Sequence, residues 1–290
     1  MNWFIYALAC AFFTASSDAL VKLAMRKTDE YAAIWFRLVF SLPLLFLFML
    51  SYPIPKLDAK FWLAILIMLP LEATACILYF KSVRNYDLSE VTPFLGFTPV
   101  FSIFVALLVL GEKPSFLGIF GIISVFGGAY LLNIHTAKKN ILQPIKEALR
   151  NKGTRLMLIV AFIYAITSTF GKFALLRSSL HSFPFIYFSF LFIVMTGILS
   201  YRVKAGLSKI ELPKKQVLLY IVLGIVFALA AITHFKAIAL TEVSYMISVK
   251  RLSLLLSVLY GGLIFKEKNI HVRLLGASFM VLGTILLSFA

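Results

Sequence analysis

Long apolar runs separated by short polar stretches fill the chain from end to end. A helical span of a bilayer needs about 20 apolar residues. On that measure the pattern predicts ten helices, at roughly 3–25, 31–51, 60–80, 91–110, 117–134, 156–176, 185–201, 217–236, 244–265 and 272–289. Membrane β-strands would instead show short alternating segments. The connections are brief and polar, as at Arg26-Lys27-Thr28-Asp29-Glu30 and Gly111-Glu112-Lys113-Pro114. Only 135–155 is longer, and its basic, weakly amphipathic stretch ILQPIKEALRNKG predicts a short interfacial helix.

Composition agrees: 61% of the 290 residues are hydrophobic and 14% are charged. Soluble domains carry about 45–50% apolar and about 25% charged residues. A water-soluble globule and intrinsic disorder are both excluded. The net charge of +16 would suit a nucleic-acid binder, but basic cytoplasmic loops account for it in a membrane protein. Of the 28 Lys and Arg, 18 fall at the loops after spans 1, 3, 5, 7 and 9, five at the loops after the even spans, and five inside spans. The positive-inside rule then places the odd loops in the cytoplasm and both termini outside. No basic leader with an A-x-A site opens the chain, so no cleaved signal peptide is read. Cys10 and Cys76 both lie in apolar runs and imply no disulfide framework. The expectation is an integral, multi-pass protein of a bacterial inner membrane, with the bilayer as partner and no nucleic acid.

The chain also repeats itself. Shifted by 155 positions, YFKSVRNYDLSEV at 79–91 lies over HFKAIALTEVSYM at 234–246, and eleven positions between 79 and 133 are identical without a gap. They include Glu112-Lys113 over Glu267-Lys268, Gly121 over Gly276 and Gly128 over Gly283. Upstream, at a shift of 150, Lys22-Leu23-Ala24 meets Lys172-Phe173-Ala174. Two five-helix units follow, 1–134 and 156–290, joined by a connector at 135–155. Five is odd, so the second unit must enter the membrane inverted, an arrangement many secondary transporters use around a midplane site. The glycines of spans 5 and 10 predict close helix packing.

The stretch ILYFKSVRNYDLSEVTPFLGFTPVFSIFVALLVLGEKPSFLGIFGIISVFGGAYLL resembles the EamA-type repeat of the drug/metabolite transporter superfamily, with its mid-helix Pro, Leu-Gly-Glu turn and Gly-rich last helix. HFKAIALTEVSYMISVKRLSLLLSVLYGGLIFKEKNIHVRLLGASFMVLGTILL resembles the second copy, with Phe265-Lys266-Glu267 in place of Leu-Gly-Glu. The resemblance covers nearly the whole chain. It implies an all-α polytopic membrane protein, ten transmembrane helices as two inverted five-helix repeats around a central cavity. Members are usually drawn with both termini inside, the reverse of the charge count. Plastid phosphate translocators, distant members of the superfamily, carry a Lys-Arg pair on the ninth helix as a phosphate ligand, and Lys250-Arg251 stand on the corresponding helix here.

Seven strongly ionisable residues sit inside the predicted spans: Asp18, Lys22, Arg37, Glu72, Lys172, Lys250 and Arg251. Each costs at least about 2.5–3.5 kcal/mol near the bilayer centre and so needs a partner or a task. Five cations against two carboxylates point to an anionic substrate group or a water-filled cavity. Asp18 and Lys22, four apart, can pair on one helix face. Arg37 suits either a headgroup anchor or a partner for Asp18. Glu72 lies mid-span beside Pro70, which suits a proton relay, a counter-ion or a neutral hydrogen-bonded group. Lys172, Lys250 and Arg251 are predicted at similar depth as an anion site, with pairing of Arg251 to Glu72 as the alternative. Tyr79 and Tyr164 are further candidates to line the cavity.

Walker, zinc-spacing, nucleotide and nucleophile motifs are missing from the sequence, so no cofactor, no metal and no catalytic residue are expected. The function expected is secondary transport of a small polar metabolite, anionic or zwitterionic, with Glu72 as the coupling residue. An amino-acid or drug exporter of the same fold is the alternative, and a lipid-handling or assembly protein is the reading from another class. A monomer and a homodimer are both compatible with the sequence.

Overall fold

The computed structural model of the chain describes residues 2–131, 151–265 and 274–290, and these are helices and short turns with no strand among them. The interfacial helix expected in the connector lies outside the described residues, except for 151–155. The elements are α1 (Asn2–Ala24), α2 (Glu30–Met49), α3 (Ala59–Asn85), α4 (Leu88–Val91), a 3-10 stretch (Thr92–Phe97), α5 (Thr98–Leu110) and α6 (Phe116–Leu131). The second half gives α7 (Lys152–Leu175), α8 (Ser182–Lys204), α9 (Lys214–Ile238), α10 (Val243–Lys250), α11 (Ser253–Phe265) and α12 (Leu274–Ser288). Seven spans among the described residues are long and apolar enough to cross a membrane, one of them the 3-10 stretch continued by α5. With no water in the bilayer core, helix keeps every backbone bond inside the segment.

Local chemistry sets the ends. Asp29 accepts from the N–H of Tyr31 and Ala32, and Asp58 from Phe61 N–H, so a carboxylate caps α2 and α3. Asn151 caps α7 by accepting from Gly153 N–H. Gly111 ends α5 at φ +71°, a left-handed conformation that a β-carbon disfavours.

The sequence predicts spans 4 and 9 as unbroken helices, and the structure corrects both. In span 4, Pro93 and Pro99 lack donors, and the 3-10 stretch separates α4 from α5. In span 9 a tightened turn at Arg251-Leu252 separates α10 from α11, held by Arg251 N–H to Ser248 O (3.0 Å) and Leu254 N–H to Arg251 O (2.9 Å). Conversely, α3 runs unbroken through Pro70, where the sequence suggests a distortion.

The repeat register is visible in burial. In α2 the buried set includes Ala32, Ala33, Ile34, Arg37, Leu38, Ser41, Leu45 and Met49. In α8 it is Ser182, Phe183, Pro184, Tyr187, Phe188, Leu191, Met195 and Leu199, the same positions shifted by 150. Contacts exchange in the same way: α1 packs on α9 as α7 packs on α3, α11 on α1 as α5 on α7, and α6 on α12. That last pair is as close as its glycines predict, since a β-carbon on Gly128 would sit 2.5 Å from Gly276 O.

Turns gather at two ends of the bundle. Thr28 donates to Gln216, Lys209 N–H to Asp29, and Ser82 to Gly153 O at one end. At the other, Arg177 pairs with Asp58, and His181 stacks on Tyr52. The first is the end of the Lys/Arg-rich loops, called the basic end below.

Candidate functional site

A cavity of about 150 Å³ lies between the two halves, and its wall holds Asp18, Arg37, Glu72, Tyr79, Tyr164, Lys250 and Arg251. Repeat-equivalent positions from both copies occur in its wall. At a shift of 150, Thr14 matches Tyr164, Ser17 matches Thr167, Asp18 matches Ser168 and Arg37 matches Tyr187. At 155, Glu72 matches Phe227, Tyr79 matches His234 and Leu95 matches Lys250. All fourteen side chains line the cavity. It therefore sits where the two copies meet, yet its chemistry is unequal. Both carboxylates come from the first copy, and the Lys-Arg pair from the break in the second.

Arg251 is 3% exposed; its Nη2 donates to Thr98 Oγ1 at 2.8 Å, while its Nε has no hydrogen-bond partner among the described residues. Thr98 begins α5 at the break in the first copy, so one bond ties the two interrupted spans together. The residue at the position of Arg251 in the first copy is Gly96, where a β-carbon would meet that of Ala129 at 2.4 Å. Packing against α6 thus excludes a side chain there. Asp18 lies beside Tyr79, with Lys250, Arg251 and Arg37 also acting on it. Glu72 faces Thr167, Arg37, Lys250 and Tyr187. The hydroxyls of Tyr79 and Tyr187 lack hydrogen-bond partners among the described residues. So does His234 Nδ1.

Several expectations need correction. Of the two readings of Asp18, a pair with Lys22 or a place in the cavity, the structure shows the second, and Lys22 reaches Asp87, 3.7 Å away at the basic end. Arg37 was favoured as a headgroup anchor. It is instead 7% exposed, with its guanidinium between the rings of Phe227 (4.1 Å) and Phe80 (4.7 Å) and its Nη2 donating to Cys76 Sγ. Lys172 does not line the cavity with Lys250 and Arg251. It sits in the last turn of α7, so its stem reaches past the helix end to Glu112 Oε1 (2.5 Å) and Thr241 O (2.7 Å). The alternative pairing of Arg251 with Glu72 is not formed either. Among the described residues no carboxylate oxygen lies within 4.0 Å of Arg37, Lys250 or Arg251. The cavity therefore holds three cations and two carboxylates, a smaller surplus than the spans alone suggest.

The sequence reading singles out none of Ser168, Thr167, Tyr187, Phe227 and His234 for the cavity. The repeat register points to four of them, because Ser168, Tyr187, Phe227 and His234 match Asp18, Arg37, Glu72 and Tyr79.

Residues 1–134 and 151–289 match the EamA-like transporter family. The chain belongs to that family. It is therefore an integral, multi-pass membrane protein and a member of a family of transporters. No curated protein matches it. Among solved structures, one titled only as the crystal structure of a protein is 13% identical with a TM-score of 0.75. That match covers 99% of this chain and 98% of the other, which shows a shared fold.

Proposed function

We propose that this EamA-family protein is a secondary active transporter that moves a small polar metabolite, anionic or zwitterionic, by alternating access. The observation that carries the reading is the cavity between the halves, lined by repeat-equivalent residues and holding buried charge without close ion pairs. Arg251 and Lys250 would hold a carboxylate or phosphate group, with the planar Arg fork suited to two parallel bonds. Glu72 would carry the coupling proton, since it faces the same cavity from mid-helix. The exchange of contacts between halves supports ten spans in two inverted repeats, and the charge count supports a cytoplasmic basic end. A bacterial inner membrane remains the setting we favour.

Two carboxylates in the same wall favour a second, narrower reading: an exporter of amino acids, whose ammonium group Asp18 or Glu72 would receive. A thermal-shift screen of the purified protein against anionic, zwitterionic and cationic metabolites tests both. A ligand at 100 times its Kd stabilises by about 2.7 kcal/mol. Stabilisation by anions or zwitterions is the expected result; stabilisation by lipophilic cations alone would overturn the proposal.

A further inference from the structure

Arg37 enters the cavity wall from α2 with most of its bonding capacity unused. A guanidinium carries five N–H donors. Among the described residues the one hydrogen bond here runs from Nη2 to Cys76 Sγ at 3.5 Å, and the buried Nε has no partner. The group rests instead on the ring faces of Phe227 and Phe80. Ring faces attract a cation, but more weakly than a carboxylate at bonding distance.

A carboxyl stands one turn away. Glu72 is four residues before Cys76 on the unbroken α3, so the two share a helix face about 6 Å apart along the axis. Arg37 is the strongest of the charges acting on Glu72 and the weakest of the three acting on Asp18. The second copy meets both members of this couple. Tyr187, the counterpart of Arg37, faces Glu72, and Phe227, the counterpart of Glu72, is the nearer ring under Arg37. The other groups facing Glu72 are Lys250 of α10, Thr167 and Tyr164 of α7, and Cys76 of its own helix. Yet no carboxylate oxygen lies within 4.0 Å of Arg37 among the described residues. The cation is parked on rings beside a carboxyl that it does not bond.

We propose that Arg37 is the positioning residue of the coupling site: it rests on Phe227 and Phe80 while Glu72 is protonated and swings onto the carboxylate when the proton leaves. The proton passes from the Glu72 carboxyl to water in the cavity, and the guanidinium meets the negative charge left behind. A guanidinium does not deprotonate in proteins, so one proton moves. A nearby cation favours the ionised carboxylate, so Arg37 sets the pH at which Glu72 releases its proton. Phe227 supplies the opposing pull, because a firmer hold on the ring leaves the carboxylate unmet. The proposal rests on the reading of Glu72 as the coupling residue and adds the residue that tunes it.

The test is a pH titration of the purified protein by infrared difference spectroscopy, which follows the carbonyl stretch of protonated carboxyl groups. The band missing from Glu72→Gln is that of Glu72, and the proton is the only probe. Arg37→Gln should raise the midpoint of that band by about 1–3 pH units, and Arg37→Lys should bring it back towards the parent. Phe227→Leu keeps the cation but removes its nearer ring, and should lower the midpoint by up to about one unit. If Arg37→Gln fails to fold, Phe227→Leu decides alone. An unmoved midpoint in the folded variants would overturn the proposal and leave the coupling role of Glu72 standing. So would a shift in Arg37→Gln that Arg37→Lys does not reverse, which would make Arg37 a packing residue. A parent without a titrating Glu72 band would overturn the coupling reading and this proposal with it. No substrate is present, so each outcome is separate from the thermal-shift screen.

Discussion

Arg251→Gln probes the most buried of the three cations in the cavity wall. In the structure this side chain has one strong bond, to Thr98, and no carboxylate within ion-pair distance among the described residues. Losing a hydrogen bond from a charged group costs about 1.5–3 kcal/mol. Against this, the substitution removes a buried charge whose desolvation costs several kcal/mol. The two offset, so the protein without substrate should stay within about 2 kcal/mol of its parent stability. Substrate binding has no such offset. An anionic group that bonds the guanidinium should bind about ten- to a hundred-fold more weakly, the same 1.5–3 kcal/mol at about 1.4 kcal/mol per decade. Arg251→Lys should recover only part of that, because the ammonium cannot form two parallel bonds. The assay pairs a melting curve with the Kd for the metabolite that stabilises most in the screen. If Arg251 were the working partner of Glu72, Arg251→Gln would cost about 3–5 kcal/mol and Glu72→Gln in the same chain would restore it. Unchanged affinity together with that rescue would refute the anion site.

Three further outcomes are expected. Glu72→Gln should abolish transport driven by a pH gradient while internal-for-external exchange of substrate persists in proteoliposomes; equal loss of both in folded protein would assign Glu72 a binding role. A fusion of alkaline phosphatase after Ala290 should be active and a GFP fusion there dark, whereas bright GFP would reverse the orientation taken from the loop charges. Burial and the neighbouring Glu112 push the Glu242 carboxyl above its usual range, against the pull of Lys172. Its neutral form is thus favoured in the folded protein, and that contribution is full below an ordinary Glu pKa of about 4.3 and lost as pH rises through the raised value. The melting temperature should therefore fall as pH rises through that range by an amount that disappears in Glu242→Gln; identical pH profiles in parent and variant would exclude Glu242 as a titrating group.

Sequence alone determined the membrane class, the helical runs and the repeat, because these depend on local quantities: apolar length, turn residues and identity at a fixed offset. It also marked Asp18, Glu72, Tyr79, Tyr164, Arg37, Lys250 and Arg251 as residues too costly or too placed to be incidental, and all seven reach one cavity. Tertiary structure decided which charges meet. Lys22 and Lys172 read as buried cations in the sequence, but each ends its helix within reach of an acidic residue from another turn, and that reach is set by where helices stop. The break at Arg251-Leu252 was equally hidden, since no proline marks it and its bonds are contributed by neighbouring turns of the same span. Tyr187 and Phe227 look like ordinary aromatics along their own helices. Only the packing of the two copies against each other brings them into the wall that Arg37 and Glu72 line, because helices about 150 positions apart in sequence meet there and no local pattern connects them.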